Sequence, residues 1–145
     1  MKVRDILKNK GPEVYTIGDE KQLRDAVEIL TRNNIGVLIV ISDNAKIEGI
    51  ISERDILKAC YHNPDSFLDI RVKDCMTTKL LIAEPDDDID YVQKIMTENR
   101  IRHLPVLHNK ILVGLISIGD VVKAQLSDKM YENKYLMDYI SGNVR

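Results

Sequence analysis

The chain contains an internal duplication, and this feature constrains its fold more than any other. Three blocks of the first half match three blocks of the second half in the same order, at offsets of 65, 66 and 69 positions: residues 47–59 with 112–124, 29–35 with 95–101, and 3–7 with 72–76. Such ordered self-similarity indicates a tandem duplication. The small changes of offset fall where loop insertions are tolerated.

Each half has the same pattern of secondary structure. Apolar residues at helical spacing predict an amphipathic helix within Asp19–Asn33 and a second one after Asp86–Asp88, whose carboxylates suit the positive end of a helix dipole. A short β-branched run, a turn and another strand follow, and a further helix begins at Ser52 or Ser117. We therefore expect an α/β (α+β) fold of two repeats, each strand-helix-strand-strand-helix. A single copy would be marginally stable, so the copies should pack together.

Composition excludes several classes of protein. With 145 residues, 44% of them hydrophobic, the chain has enough apolar side chains for a core. The 21 basic and 23 acidic residues nearly cancel, which argues against a nucleic-acid-binding protein. No apolar run approaches the roughly 20 residues of a membrane-spanning helix, and the first residues do not resemble a signal peptide. We expect a cytoplasmic protein without nucleic-acid or membrane partners.

One motif whose residues could bind a ligand occurs in both halves, where a strand ends and a helix begins. It is Gly-x-x-Ser-x-x-Asp: Gly49, Ser52 and Asp55, then Gly114, Ser117 and Asp120. The free N–H groups of a helix start and a serine hydroxyl suit a phosphate, and the carboxylate suits ribose hydroxyls. The glycine lets a ligand or another backbone approach closely. Ser-x-x-Asp is also an ordinary capping box that needs no ligand, and both interpretations remain open.

This motif, the order of the matching blocks and the phrase IRHLPV (Ile101–Val106) resemble a tandem pair of cystathionine β-synthase (CBS) domains, the Bateman module. The resemblance covers nearly the whole chain. It implies two repeats packed through their sheets with pseudo-twofold symmetry, clefts that bind adenosine-containing ligands, and pairing of two modules. It also implies that ligand binding changes the activity of another protein.

The resemblance also implies roles for particular residues. Asp55 and Asp120 would hold ribose hydroxyls, and Ser52 and Ser117 would contact ribose or phosphate. Backbone groups of the entering strands, Val14–Thr16 and Leu80–Ile82, would border the adenine, as would Gly36–Leu38 and His103–Pro105. The predicted nucleotide-binding residues are thus Thr16, Gly36, Val37, Ser52, Arg54, Asp55, Leu80, Ile82, Arg102, His103, Leu104, Pro105, Ser117 and Asp120. Of these, Arg54 and either Arg102 or His103 would balance phosphate charge.

The two copies differ, which argues against equal occupancy of two sites. Gly36-Val37-Leu38 stands where the second copy has Arg102-His103-Leu104, and Gly119 replaces Arg54. The implied domains are repeat 1 over residues 1–62, a linker over 63–71, repeat 2 over 72–127 and a helical extension over 128–145. In that extension Tyr131, Tyr135 and Tyr139 share a helical face that would pack on the core or on a second copy, form a partner surface, or cover a nucleotide as a lid.

Other candidate sites are weaker. The histidines His62, His103 and His108 lack the spacing of a metal site, and no nucleophile stands in a recognisable catalytic motif. Cys60 and Cys75 do not form a disulfide framework, and we expect both to be structural. The sequence therefore predicts a non-catalytic homodimer without a metal or catalytic cofactor. It would bind AMP, ADP or ATP, with NAD or S-adenosylmethionine as other candidates, and would regulate an unidentified partner. A constitutive interaction scaffold with vestigial clefts is the alternative.

Overall fold

The computed structural model describes residues 1–11 and 13–126, and the chain divides into two compact units. The first-repeat unit is Glu13–Ile82, and the second-repeat unit combines the N-terminal segment with the chain from Ala83 onward. In sequence, helix α1 (Val3–Lys10) lies at the start of the predicted first repeat, but its Val3 and Ile6 are buried in the core of the second-repeat unit. The predicted helical extension and its tyrosine face lie outside the described residues.

The first-repeat unit has the predicted order of strand, helix, strand, strand and helix. Its elements are β1 (Thr16–Gly18), α2 (Leu23–Asn33), β2 (Val37–Ile41), β3 (Ile47–Ser52) and α3 (Glu53–His62), followed by single 3₁₀ turns at Phe67–Asp69 and Val72–Asp74. β1 pairs with β2 in parallel, and β2 pairs with β3 antiparallel. This sheet therefore ends in the strand that leads directly into α3.

The described part of the second-repeat unit follows the same order, except that its entering strand is reduced to a single bridge. Its elements after α1 are α4 (Ile89–Asn99), β4 (His103–His108), β5 (Ile111–Ser117) and α5 over residues 118–126. β4 and β5 pair antiparallel, and Ala83 forms a single parallel bridge with Val106. The α+β class and the two-repeat organisation predicted from the sequence are confirmed.

Two predicted entering strands differ from the structure. The first is shifted by two residues, because β1 begins at Thr16 rather than at Val14. The second is wrong, because Leu80–Ile82 forms no strand and only the next residue, Ala83, pairs with Val106.

A proline explains why the parallel pairing does not continue beyond Ala83 in the second-repeat unit. Beyond β1, the Asp19 N–H donates to the Ile41 carbonyl oxygen at 3.0 Å and extends the pairing with β2. The residue at the matching position, 66 residues later, is Pro85. Proline has no N–H to donate, so the parallel pairing stops after Ala83.

Each unit has its own apolar core. In the first-repeat unit the core residues are Ile17, Leu23, Ala26, Leu30, Leu38, Val40, Ile51, Ile56, Ala59 and Val72. In the second-repeat unit they are Val3, Ile6, Ala83, Ile89, Val92, Met96, Leu104, Val106, Ile116 and Val121. The described part of the chain contains no helix that is long and apolar enough to cross a bilayer.

Candidate functional site

A capping box holds the Ser–Asp pair at the start of α3 in the first-repeat unit. The Ser52 N–H donates to Asp55 Oδ2 at 2.9 Å, and the Asp55 N–H donates to Ser52 Oγ at 3.3 Å. The Ser52 hydroxyl also donates to Asp55 Oδ2, at 3.1 Å. Both side chains are partly buried, and no ion pair of Asp55 occurs among residues 1–11 and 13–126. The carboxylate is therefore held in place while part of its surface faces solvent.

The second Ser–Asp pair adds a cation to the same arrangement. The Ser117 N–H donates to Asp120 Oδ2 at 2.9 Å, and the Asp120 N–H donates to Ser117 Oγ at 3.0 Å. Lys10 Nζ, from α1, lies 2.7 Å from Asp120 Oδ2 and 2.9 Å from the Leu115 carbonyl oxygen. Partial burial alone would raise the pKa of Asp120, but the hydrogen bonds from Lys10 and Ser117 outweigh it and hold that pKa below its usual range.

The glycines of the two motifs lie against the protein itself. A Cβ at Gly49 would lie 2.7 Å from the Thr77 carbonyl oxygen and 2.9 Å from Met76 Sδ. A Cβ at Gly114 would lie 2.7 Å from Cδ2 of Leu7 on α1. Of the two reasons that the sequence offered, a ligand or another backbone, a close backbone is present at Gly49, whereas the close neighbour of Gly114 is the Leu7 side chain.

Predicted backbone contacts lie beside each serine. In the first-repeat unit Val37 pairs with Ser52 across the sheet, and the Gly36 carbonyl oxygen accepts the Glu53 N–H at 3.0 Å. In the second-repeat unit His103 pairs with Ser117, and the Arg102 carbonyl oxygen accepts the Ile118 N–H at 2.8 Å. The start of β2 thus lies against the start of α3, and the start of β4 lies against the start of α5.

The remaining predicted residues occupy varied surroundings. Leu104 is fully buried and Pro105 is buried, so these two residues offer backbone groups rather than side chains to a ligand. Thr16 and Arg54 are exposed, at the start of β1 and in the first turn of α3. Leu80 is partly buried and Ile82 is 43% exposed, both outside any strand.

Lys10 is the residue near these pairs that the sequence did not indicate. Residues 3–7 match residues 72–76 at an offset of 69, which aligns Lys10 with Lys79. Lys79 is exposed and forms no hydrogen bond or ion pair within the described chain. Since the two aligned lysines differ in their contacts, the alignment alone could not have assigned Lys10 to Asp120.

A metal site and a reactive cysteine have less support in the described residues. No group of three histidine, cysteine, aspartate or glutamate side chains is placed to hold a metal ion in the part of the chain that the structure covers. Both cysteines are free and partly buried. Burial, followed by the carboxylates of Asp74 and Asp55, raises the pKa of the Cys75 thiol.

Comparison with known proteins gives consistent matches. The family model for the CBS domain matches residues 3–62 and 72–127. The mitochondrial CBS domain-containing protein CBSX3 of Arabidopsis thaliana is 34% identical, over 97% of this chain and 72% of that protein. The crystal structure of the CBS-domain containing protein ATU1752 from Agrobacterium tumefaciens matches with a TM-score of 0.84 and 36% identity, over 86% of this chain and 92% of that one.

A further solved structure contains ligands. The CBS domain pair of protein MJ0100, in complex with 5-methylthioadenosine and S-adenosyl-L-methionine, matches with a TM-score of 0.78 and 26% identity, over 88% of this chain and 98% of that chain. Two family matches cover most of the sequence, and the structure contains the duplicated Ser–Asp helix starts in two α+β units. The chain therefore belongs to the CBS-domain family, as a tandem pair of CBS domains.

Proposed function

We propose that this chain is a non-catalytic regulatory module that binds adenosine-containing ligands at its Ser–Asp helix starts and conveys energy or cofactor state to a partner protein. AMP, ADP and ATP are the ligands that we favour, and NAD and S-adenosylmethionine share the same adenosine group. The observation that carries the proposal is the duplicated, partly exposed carboxylate that the adjacent serine holds at the start of a helix. The sequence favours the cytoplasm as its compartment.

The chemistry of the pair suits such a ligand. A carboxylate with exposed lone pairs accepts hydrogen bonds from both hydroxyls of a ribose. The helix start beside it offers N–H groups and a partial positive charge to a phosphate, and the serine hydroxyl is a further donor. The adenosine compounds bound to the CBS domain pair of MJ0100 give independent support for this ligand class.

A constitutive scaffold is the rival function, because the same hydrogen bonds cap the helix without a ligand. Asp25 provides the matched control. Its Oδ2 accepts the Gln22 N–H at 3.0 Å and caps α2 as Asp55 caps α3, but without a serine. If Asp55 is only a cap, Asp55→Asn and Asp25→Asn should have the same effect, a loss of at most about 1 kcal/mol of stability each.

The test is a thermal-shift series with AMP, ADP, ATP, NAD and S-adenosylmethionine. A ligand at about 100 times its Kd should add about 2.7 kcal/mol, which raises Tm by several degrees. We expect a selective rise that Asp55→Asn and Asp120→Asn reduce and that Asp25→Asn leaves in place. If no compound raises Tm, or if all three variants respond alike, the chain is a constitutive scaffold and the proposed regulatory module is wrong.

Homodimerisation is part of the same proposal, and equivalent apolar side chains on the last helix of each repeat support it. Leu57 and Tyr61 on α3 are 71% and 82% exposed. At the positions 65 residues later, Val122 and Leu126 on α5 are 39% and 46% exposed. An apolar groove of about 540 Å³ lies between α2 and α3 beside Leu57. Burial of these side chains against a second copy would remove apolar surface from water.

A further inference from the structure

The proposed function assigns ribose binding to Asp55 and Asp120, and these two carboxylates already accept hydrogen bonds from different donors. Asp120 Oδ2 accepts the Ser117 N–H and the Lys10 ammonium, at 2.9 and 2.7 Å. Asp55 Oδ2 accepts the Ser52 N–H and, at 3.1 Å, the Ser52 hydroxyl. In each case one oxygen of the carboxylate carries two hydrogen bonds, but the second donor is a charged ammonium at Asp120 and a neutral hydroxyl at Asp55.

The nature of the second donor affects how easily a ligand hydroxyl can displace it from the carboxylate oxygen. A serine hydroxyl rotates about its own bond and can turn toward an incoming ligand oxygen. The ammonium forms a charge-assisted hydrogen bond, which is about twice as strong as a neutral one. The Lys10 and Asp120 side chains are 33% and 22% exposed, so water screens their attraction only in part. A ribose hydroxyl that replaces Lys10 exchanges a charged donor for a neutral one.

The position of Lys10 is also maintained by the fold. Its ammonium donates to the Leu115 carbonyl oxygen of β5, and Leu7 of the same helix packs against Gly114. The matching carbonyl in the first-repeat unit, that of Ile50, accepts a backbone N–H from Thr77 instead, at 2.8 Å. The polar group on this carbonyl is thus an uncharged backbone amide in one unit and a lysine that reaches the aspartate in the other.

We propose that Lys10 is an affinity-setting residue, an internal competitor that occupies Asp120 and makes this site weaker for a ribose diol than the site at Asp55. The inference rests on the proposed adenosine-binding function. It predicts that the two sites fill in order, Asp55 first. A diol that donates one hydroxyl to each carboxylate oxygen of Asp120 then requires that Lys10 leave Oδ2, which it shares with the Ser117 N–H.

The experiment isolates the Asp120 site by using Asp55→Asn as the background and measures adenosine binding by calorimetry. Adenosine is neutral, so the loss of a lysine does not change its long-range attraction to the protein. In this background, Lys10→Met should tighten adenosine binding by about tenfold. Lys10→Arg, which keeps a cation, should not. Lys8→Met, which removes an exposed lysine of the same helix, is the matched control and should have no effect. The gain should disappear with 2′,3′-dideoxyadenosine, which has no diol.

The outcomes separate this inference from the function on which it rests. If the adenosine compounds of the thermal-shift series bind and Lys10→Met leaves adenosine binding unchanged or weakens it, Lys10 is not a competitor and the inference falls alone. A gain that persists with the dideoxy compound also overturns it, because competition for the diol is then not the cause. If no adenosine compound binds to the wild-type chain or to Lys10→Met, the proposed function and the inference both fail.

Discussion

Thr77 and Ile50 exchange two backbone hydrogen bonds, with N···O distances of 3.0 and 2.8 Å. This pairing brings the Thr77 carbonyl over Gly49, where there is no room for a Cβ. In the second-repeat unit the side chain of Leu7 takes the matching place over Gly114. The two motif glycines are therefore packed against different groups, backbone at Gly49 and the flexible end of a side chain at Gly114.

This contrast predicts different responses to the same substitution. Gly49→Ala places its Cβ against a backbone oxygen that cannot move without breaking the pair with Ile50, and we expect a loss of about 2–3 kcal/mol of stability. Gly114→Ala should cost about 1 kcal/mol, because the Leu7 side chain can rotate away. Urea denaturation of each variant gives the two values.

A double variant checks the cause. In a Leu7→Ala background Gly114→Ala should cost almost nothing further, since the clashing Cδ2 atom is gone. Met76→Ala should not rescue Gly49→Ala in the same way, because the Thr77 oxygen remains. Equal rescue at both positions would contradict the assignment of the two neighbours.

The Lys10–Asp120 pair predicts a dependence of stability on pH. The folded-state pKa of Asp120 is lowered, so its contribution is complete above the unfolded value of about 3.9 and is lost as the pH falls through the lower folded value. At pH 7 Lys10→Met should cost about 0.5–1 kcal/mol, because the pair is partly exposed. The difference from wild type should shrink below about pH 4. Urea denaturation between pH 2.5 and pH 7 tests this, and a difference that is constant over the range would rule it out.

The exposed apolar residues of α3 predict the oligomeric state. Leu57→Glu should convert a homodimer into a monomer, because it places a charge in an apolar interface. The fold should persist, since Leu57 is mostly exposed. Light scattering coupled to gel filtration measures the mass, and Lys58→Glu, at an exposed neighbouring position, is the control. A monomeric wild-type chain, or a dimer unaffected by Leu57→Glu, would contradict the proposed interface.

The raised pKa of Cys75 predicts slow alkylation. The thiolate is the reactive form, and burial, together with the nearby carboxylates of Asp74 and Asp55, disfavours it. In a Cys60→Ser variant at pH 8, iodoacetamide should therefore modify Cys75 more slowly in the folded protein than in urea, as followed by mass spectrometry. Asp55→Asn should speed the reaction in the folded protein slightly, and an unchanged or slower rate would show that the carboxylate has no influence on the thiol.

Local patterns in the sequence predicted the helix starts at Ser52 and Ser117 and the order of the elements. They were less successful where a strand depends on a distant partner. Leu80–Ile82 has the apolar character of a strand. In the first-repeat unit the Ile39 N–H donates to the Tyr15 carbonyl oxygen, but the residue that matches Ile39 is Pro105, which has no N–H for Leu81, and only Ala83 bridges to Val106. The helix at Val3–Lys10 was not predicted, and its apolar face is buried by residues from the other half of the chain.

The sequence by itself determined the duplication, the CBS family and the two Ser–Asp caps. Each cap joins residues only three positions apart, so backbone geometry at a helix start brings them together. Only the tertiary structure decided that α1 packs beside the second repeat and that Lys10 meets Asp120, 110 residues away. That contact depends on burial of Val3 and Ile6 in a core formed mostly by another part of the chain, against which Leu7 also packs, and no local pattern encodes it.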